Sequence, residues 1–97
     1  MRFDWDPKKA ASNYEKHGVR FLDAITAFDD PYALVAFDPG HSTANEMREW
    51  LIGASDRGVL VVVFTVRQPG NLYRLISARP ANRREKAKYG ESKRVSI

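Results

Sequence analysis

Four arginines in the second half of the chain are the residues with the clearest capacity for chemistry. They are Arg48, Arg67, Arg74 and Arg79. A guanidinium group binds two phosphate oxygens at once and stabilises the negative charge that gathers on a phosphoryl group during cleavage. Because these arginines lie in or beside three adjacent apolar segments, they could converge on one anion site. The alternative is that each is a surface arginine, or pairs with Glu46 or Glu49.

Three further side chains could carry protons in such a reaction. In RNA the 2′-hydroxyl is a built-in nucleophile, so a weak base, an acid for the leaving 5′-oxygen and cations suffice. Glu46 shares a strand face with Arg48 and is the first candidate for the base. His41 lies in a polar loop, where it is either a proton carrier or a plain surface histidine. Tyr89 either offers its hydroxyl to the substrate or packs on the sheet.

No pattern in the sequence indicates a metal or a cofactor, and we expect neither. The chain lacks a Walker loop, a dinucleotide-binding glycine pattern and cysteine. His17 and His41 lie in separate segments, and His17 is expected at the end of the first helix, where a cation suits the helix dipole. A Ser-His-Asp arrangement stays open, although nothing in the spacing marks one.

The charge of the chain is unevenly placed. Residues 79–97 carry seven Lys/Arg and two Glu, a balance of +5, whereas residues 1–78 carry nine basic and ten acidic side chains, a balance of −1. A basic end favours an acidic partner, either nucleic acid or an acidic protein, although a solvated helix with a frayed tail fits as well. The candidate RNA-binding residues are Arg74, Arg83, Arg84, Lys86 and Lys88.

Length and hydropathy bound the class of protein. The 97 residues suit one domain over residues 1–97 with a single core. The N-terminus lacks the apolar region of a signal peptide, and no stretch of about 18 apolar residues is present. We therefore expect a soluble cytoplasmic protein.

A sheet built around residues 59–79 must position the arginines. Val59–Val66 is an unbroken run of β-branched and other apolar residues, which favours a buried strand. Gln68-Pro69-Gly70-Asn71 predicts a turn, with glycine where φ must be positive. Leu72–Ala78 alternates as a strand does. We expect two antiparallel strands at the middle of a sheet.

Two helices are predicted before the sheet. Asp6 followed by Pro7 is typical of a helix start, and Gly18 of a helix end, so the first helix covers Pro7–His17. Apolar residues at spacings of three and four predict a second helix over Phe21–Phe28. The short link between them suggests a helical hairpin on one face of the sheet.

A last helix is predicted over Arg83–Tyr89. Asn82 and Glu85 have the spacing of a capping box, and Gly90 is expected to end the helix, leaving Glu91–Ile97 as a loose tail. The order is then strand, two helices, four strands and a helix. The other predicted strands are Arg2–Trp5, Ala33–Phe37 and Glu46–Ala54. The fold class is α+β, with a mixed and mainly antiparallel sheet.

The same stretches resemble the BrnT family of toxins. The N-terminal match is Phe3, Trp5-Asp6, Lys9-Ala10, Asn13, Lys16-His17-Gly18-Val19, Phe21, Ala24, Phe28 and Asp30-Pro31. The middle match is His41-Ser42, Glu46, Arg48 and Ile52-Gly53. The C-terminal match is Arg74, Ile76-Ser77-Ala78-Arg79, Ala81, Glu85 and Tyr89. No single motif is specific, but the ordered set is, and it spans nearly the whole chain.

This resemblance implies a RelE-like fold, a metal-independent ribonuclease that blocks translation, and an antitoxin of ribbon-helix-helix type in a 2:2 complex. The basic stretch Arg83–Arg94 and the N-terminal edge strand are the expected contacts of that antitoxin. Asn82 stands where the family usually has Thr, and Arg20 stands where a Ser-like helix cap is usual. The alternative to an enzyme is a non-catalytic module that binds nucleic acid or protein with the same basic surface.

Overall fold

The computed structural model describes residues 1–42, 47–67 and 71–95, apart from the side chains of His41 and Val95. It contains a five-stranded mixed sheet and three α-helices, which confirms the predicted α+β class. The elements in chain order are β1 (Arg2–Asp4), α1 (Pro7–His17), α2 (Phe21–Ala24), a 3-10 helix (Ile25–Asp29), β2 (Leu34–Phe37), a second 3-10 helix (Pro39–His41), β3 (Arg48–Ser55), β4 (Gly58–Arg67), β5 (Leu72–Pro80) and α3 (Arg83–Val95).

Strand β4 is the centre of the sheet, whose strands are ordered β1-β5-β4-β3-β2. It pairs antiparallel with both β3 and β5, and β2 pairs antiparallel with β3. Strand β1 runs parallel to β5. The predicted antiparallel pair at the middle of the sheet is confirmed, because an uninterrupted apolar strand is stable only where both its faces are covered.

Side chains alternate between the two faces of this sheet. One face, which we call the core face, contributes to the larger buried cluster with Leu51, Leu60, Val62, Phe64, Leu75 and Ala78. The helical segments complete this cluster with Val19, Phe21, Ala24 and Ala27. The opposite face, which we call the cleft face, carries Ile52 and Val61, which pack with Ala81 and Tyr89 at α3. The sheet therefore has helices on both faces.

The first helix begins and ends where local signals predict. The Asp6 side chain accepts a hydrogen bond of 2.9 Å from the Lys8 backbone N–H, satisfying one of the free donors of the first turn. At the other end, Gly18 has φ of 71° and donates its N–H to the Tyr14 carbonyl at 2.7 Å. A residue with a Cβ is strained at that φ, which explains the glycine.

The segment predicted as one helix over Phe21–Phe28 is helical throughout but changes type after Ala24. Arg20 provides no side-chain cap at its start. Its 3-10 part lies against β3 at Gly53, where an added Cβ would be 2.9 Å from the Ala27 carbonyl oxygen. Glycine at this position allows the helix backbone to approach the strand directly.

The last helix is longer than predicted. Asn82 and Glu85 form the expected capping box, with reciprocal hydrogen bonds of 2.8 and 2.9 Å. The prediction that Gly90 ends the helix is wrong, because α3 continues to Val95. Glycine costs a helix about 1 kcal/mol, and contacts on either side of it offset that cost. Tyr89 is buried in the cleft-face cluster, and the Lys93 ammonium lies 5.5 Å from the centre of the Tyr32 ring.

Two predicted features fall on residues that the structure does not describe. They are the start of the third predicted strand at Glu46 and most of the turn Gln68-Pro69-Gly70-Asn71, of which only Asn71 is described, with φ of 54°. Across the described residues, no helix is long and apolar enough to cross a bilayer.

Candidate nucleic-acid interface

A cleft lies between the first turns of α3 and the cleft face of the sheet. It encloses about 490 Å³. Its lining residues are Asp38, Trp50, Ile52, Val61, Val63, Arg79, Asn82, Arg84, Glu85 and Lys88. The floor is therefore apolar and aromatic, and the charged lining consists of three cations, Arg79, Arg84 and Lys88, and two carboxylates, Asp38 and Glu85. This combination suits a polyanion with aromatic bases.

The strand register brings the predicted arginines to one face. Arg48 and Arg74 lie opposite Thr65 from either side, so the three residues form a row across β3, β4 and β5. Strand alternation places Arg48 on the same face as Trp50 in the cleft, and Arg67 on the same face as Thr65. Arg48 and Arg74 are half-buried, and Arg67 is exposed at the end of β4. The register thus places these arginines on the cleft face, but Arg48, Arg67 and Arg74 are not among the residues that line the cleft, and their convergence on one anion site stays a prediction.

Arg79 is held at the cleft by a carboxylate of α3. Its Nη1 and Nη2 atoms donate hydrogen bonds of 2.7 and 2.8 Å to the two carboxylate oxygens of Glu85. This two-pronged bond raises the pKa of Arg79 and holds the pKa of Glu85 below its usual range. The partner among the described residues is Glu85, a residue that the sequence did not indicate for this role. Since Glu85 also caps α3 through the Asn82 N–H, one carboxylate fixes both the helix start and the guanidinium at the cleft.

Arg74 is held from the neighbouring edge strand. Its Nη1 atom donates to Asp4 Oδ2 at 3.1 Å, and the two residues face each other in the parallel pairing of β1 and β5. Both side chains are about one-third exposed. The pair therefore orients Arg74 without removing it from solvent.

Of the two alternatives predicted for Tyr89, the structure shows the one in which its side chain packs on the sheet. It is 7% exposed, and its hydroxyl donates to Asp30 Oδ2 at 2.5 Å. Burial, and then the bond to Asp30, raise the pKa of Tyr89 to about 12. Burial by itself raises the pKa of Asp30. Hydrogen bonds from Tyr89 and from the Ala54 and Tyr32 N–H groups, together with the Lys93 charge, outweigh that effect, so the pKa of Asp30 lies below its usual value. This geometry makes Tyr89 a link between α3 and the sheet.

The four basic residues predicted on α3 divide into two pairs. Arg84 and Lys88 lie one turn apart and line the cleft. Arg83 and Lys86 are exposed and are not among its lining residues. The helical period thus directs Arg84 and Lys88 to the cleft and leaves Arg83 and Lys86 outside it, a difference that net charge alone does not reveal.

The predicted proton carriers Glu46 and His41 cannot be placed, since Glu46 and the His41 side chain lie outside what the structure describes. The residues that flank them are described. Asp38, at the end of β2, lines the cleft. Ser42 donates to the Asp38 carbonyl at 2.6 Å and accepts the Arg48 N–H at 2.9 Å, so it ties the end of β2 to the start of β3.

Sequence reasoning missed Trp50 and Asp38 as cleft residues. The signal for Trp50 was available, because it alternates with Arg48 on one strand face. Asp38 had no such signal, since its position depends on where β2 ends. Within residues 1–42, 47–67 and 71–95, no group of three His, Asp or Glu side chains is placed to hold a metal ion.

Comparison with known proteins identifies the family. A search of curated proteins found no match. A family model described as the ribonuclease toxin BrnT of a type II toxin–antitoxin system matches residues 5–85. Because this model covers most of the 97 residues, the chain belongs to the BrnT family of type II ribonuclease toxins.

Proposed function

We propose that this toxin cleaves RNA on the cleft face, without a metal ion, and thereby inhibits translation. The observation that carries the proposal is the gathering of arginines from β3, β4, β5 and the cations of α3 on the one face that also exposes an aromatic floor. A family of ribonuclease toxins supports RNA as the substrate. In such a site the 2′-hydroxyl attacks the adjacent phosphate, and the 5′-oxygen leaves with a proton.

Each described cation has a distinct place in this scheme. Arg79 is already oriented by Glu85 and retains further N–H groups for phosphate oxygens. Arg48, Arg67 and Arg74 stabilise charge on the phosphate from the same face of the sheet. Arg84 and Lys88 hold the flanking backbone, as cations at a nucleic-acid surface do. Trp50 offers a surface on which a base can stack.

The general base in this proposal is Glu46, with His41 as the alternative. Glu46 lies two residues before Arg48 in the sequence, the spacing at which residues of one strand share a face. Glu46→Gln retains size and hydrogen bonding but removes the base. RNA cleavage at the parental rate by this variant would move the assignment to His41, and then to Asp38, the carboxylate at the cleft.

The decisive experiment is incubation of the purified protein with RNA, with and without EDTA. Cleavage that survives the chelator supports a metal-independent enzyme. RNA that is retained but never cut supports the non-catalytic binding module instead. Cleavage that stops with the chelator and returns with a divalent cation would refute the metal-free mechanism.

Two arginine variants test the site itself. Arg67→Ala and Arg79→Ala should each relieve growth arrest at equal expression, because loss of one charge-stabilising contact costs on the order of a hundredfold in rate. Arg57→Ala is the matched control, since this arginine lies in the turn between β3 and β4, with its side chain 68% exposed. Full toxicity of both test variants would refute the site.

The remaining features of the proposal rest on the family resemblance. We propose that the chain is one RelE-like domain over residues 1–97, with its first two helical segments arranged as a hairpin, and that it acts in the cytoplasm. Its antitoxin partner is proposed to be of ribbon-helix-helix type, in a 2:2 complex. Co-expression of the antitoxin should restore growth, and gel filtration of the complex would give its stoichiometry.

A further inference from the structure

Strand β2 forms one edge of the sheet and contains neither a charged residue nor a proline. It reads Leu34-Val35-Ala36-Phe37, and no strand pairs with its outer side in the part of the chain that the structure describes. Natural edge strands are usually guarded by charge, proline or a bulge, because their free N–H and C=O groups pair readily with another chain. The other edge strand, β1, carries Arg2 and Asp4.

The pairing of β2 with β3 shows which backbone groups are available. The Asp38 N–H donates to the Arg48 carbonyl at 2.8 Å, so the backbone of Asp38 faces β3. Antiparallel ladders alternate, so the backbone groups of Ala36 also point to β3 and those of Val35 and Phe37 point outward. An incoming strand would therefore pair with Val35 and Phe37.

The side chains of the same two residues are unusually exposed for large apolar groups. Val35 is 55% exposed and Phe37 47% exposed. Their register partners Leu51 and Glu49 place them on the core face. The edge therefore presents apolar side chains and unpaired backbone groups at the same two positions.

A groove on the core face extends from Val35 at this edge across the sheet to Tyr73 of β5, and we call it the edge groove. It encloses about 270 Å³, and Val35, Phe28, Phe64 and Tyr73 supply apolar walls. Its described lining includes the carboxylates of Asp30 and Glu49 and also Met1, which carries the α-ammonium group. The edge groove is thus apolar with a net negative lining, whereas the cleft on the other face, with three cations and two carboxylates, has a net positive lining. Such a surface repels RNA and favours a protein segment with apolar and basic side chains.

We propose that the antitoxin adds a strand to the outer edge of β2 and places apolar side chains, with one Lys or Arg opposite Glu49, in the edge groove. The inference relies on the antitoxin partner of the proposed function and replaces the N-terminal strand as the docking edge. Strand addition of this kind gains affinity from backbone hydrogen bonds and specificity from alternate side chains. It also covers an all-apolar edge that would otherwise favour aggregation.

The test uses the purified toxin and the antitoxin encoded beside it. Phe37→Asp should weaken the complex at least tenfold, since it replaces an exposed apolar side chain on this edge with a carboxylate whose register partner is Glu49. Val35→Pro should also weaken it, because proline removes an outward N–H without affecting the β2–β3 ladder. Leu22→Asp on α2 is the matched control, because Leu22 is 66% exposed and lies away from β2. In the parental complex, the amides of Val35 and Phe37 should gain protection from hydrogen exchange.

RNA cleavage by the free variants separates the two proposals. Phe37→Asp should cut RNA as the parent does, because Phe37 lies on the face opposite the cleft side chains. Weakened antitoxin binding in toxin preparations that never cut RNA would support the edge and refute the enzyme. Parental affinity in both edge variants would overturn the inference. So would a change confined to toxin self-association or to RNA cleavage. Should Phe37→Asp fail to fold, Phe37→Ser carries the same comparison.

Discussion

Replacing Asn13 by alanine should destabilise the protein more than its place on an exposed helix would suggest. Asn13 is 6% exposed and joins three parts of the chain. Its Nδ2 atom donates to the Val19 carbonyl at 3.0 Å and to the Ala78 carbonyl at 2.8 Å. Its Oδ1 atom accepts the Ala78 N–H at 3.0 Å. The amide thus pairs with β5 beyond the point where β1 ends, and ties that strand to the link between α1 and α2.

The magnitude follows from these three bonds. Each contributes about 1 kcal/mol net, and the buried groups left without partners add a further desolvation cost. Alanine regains about 0.5 kcal/mol through its higher helix propensity. The expected loss is about 3 kcal/mol, a large share of the roughly 5–15 kcal/mol typical of a domain this size. The melting temperature should fall by about 12–24 °C.

Urea unfolding of the parent, Asn13→Ala and Ser12→Ala measures this effect. Ser12 is the exposed neighbour on the same helix and should change stability by less than about 0.5 kcal/mol. Asn13→Asp should be at least as harmful as alanine at neutral pH, because a carboxylate would face two carbonyls, and should recover in part as it is protonated in acid. A loss below about 1 kcal/mol for Asn13→Ala, with an unchanged m-value, would refute the reasoning.

Three further predictions concern α3 and the packing of the 3-10 helix. Tyr89→Phe should cost about 1.5–3 kcal/mol at pH 7, because it removes a hydrogen bond to a carboxylate. The pKa of Asp30 is lowered in the folded state, so this cost should shrink as the pH falls below about 4, measured by unfolding against pH. Glu85→Gln retains the capping bond but loses the two-pronged ionic bond to Arg79, so RNA cleavage should fall about tenfold while the free energy of unfolding changes by less than about 1 kcal/mol. An unchanged cleavage rate would show that Arg79 does not need Glu85 to orient it. Gly53→Ala should cost about 1–3 kcal/mol by thermal unfolding, since its Cβ would meet a helix carbonyl at 2.9 Å, and an unchanged melting temperature would contradict that contact.

The sequence by itself determined the elements and their order, because these depend on signals that act over a few residues. The Asp6 cap, the Gly18 end and the Asn82–Glu85 capping box all lie where composition and spacing predicted them. The central position of β4 followed from its apolar run. The family was also readable from an ordered set of short matches spread along the chain.

Only the tertiary structure decided how those elements share residues. Gly90 predicts a helix end, but Tyr89 contacts Asp30, 59 residues away, and α3 continues. In the sequence, Asn13 looks like an ordinary helix residue. In the fold, it lies within hydrogen-bond distance of Ala78 in β5, which is 65 positions further along the chain. Such contacts depend on strand register and helix packing rather than on neighbouring residues, so no local pattern contains them. The same strand register determines which arginines lie on the cleft face. The strand order places the apolar strand β2 at an edge of the sheet.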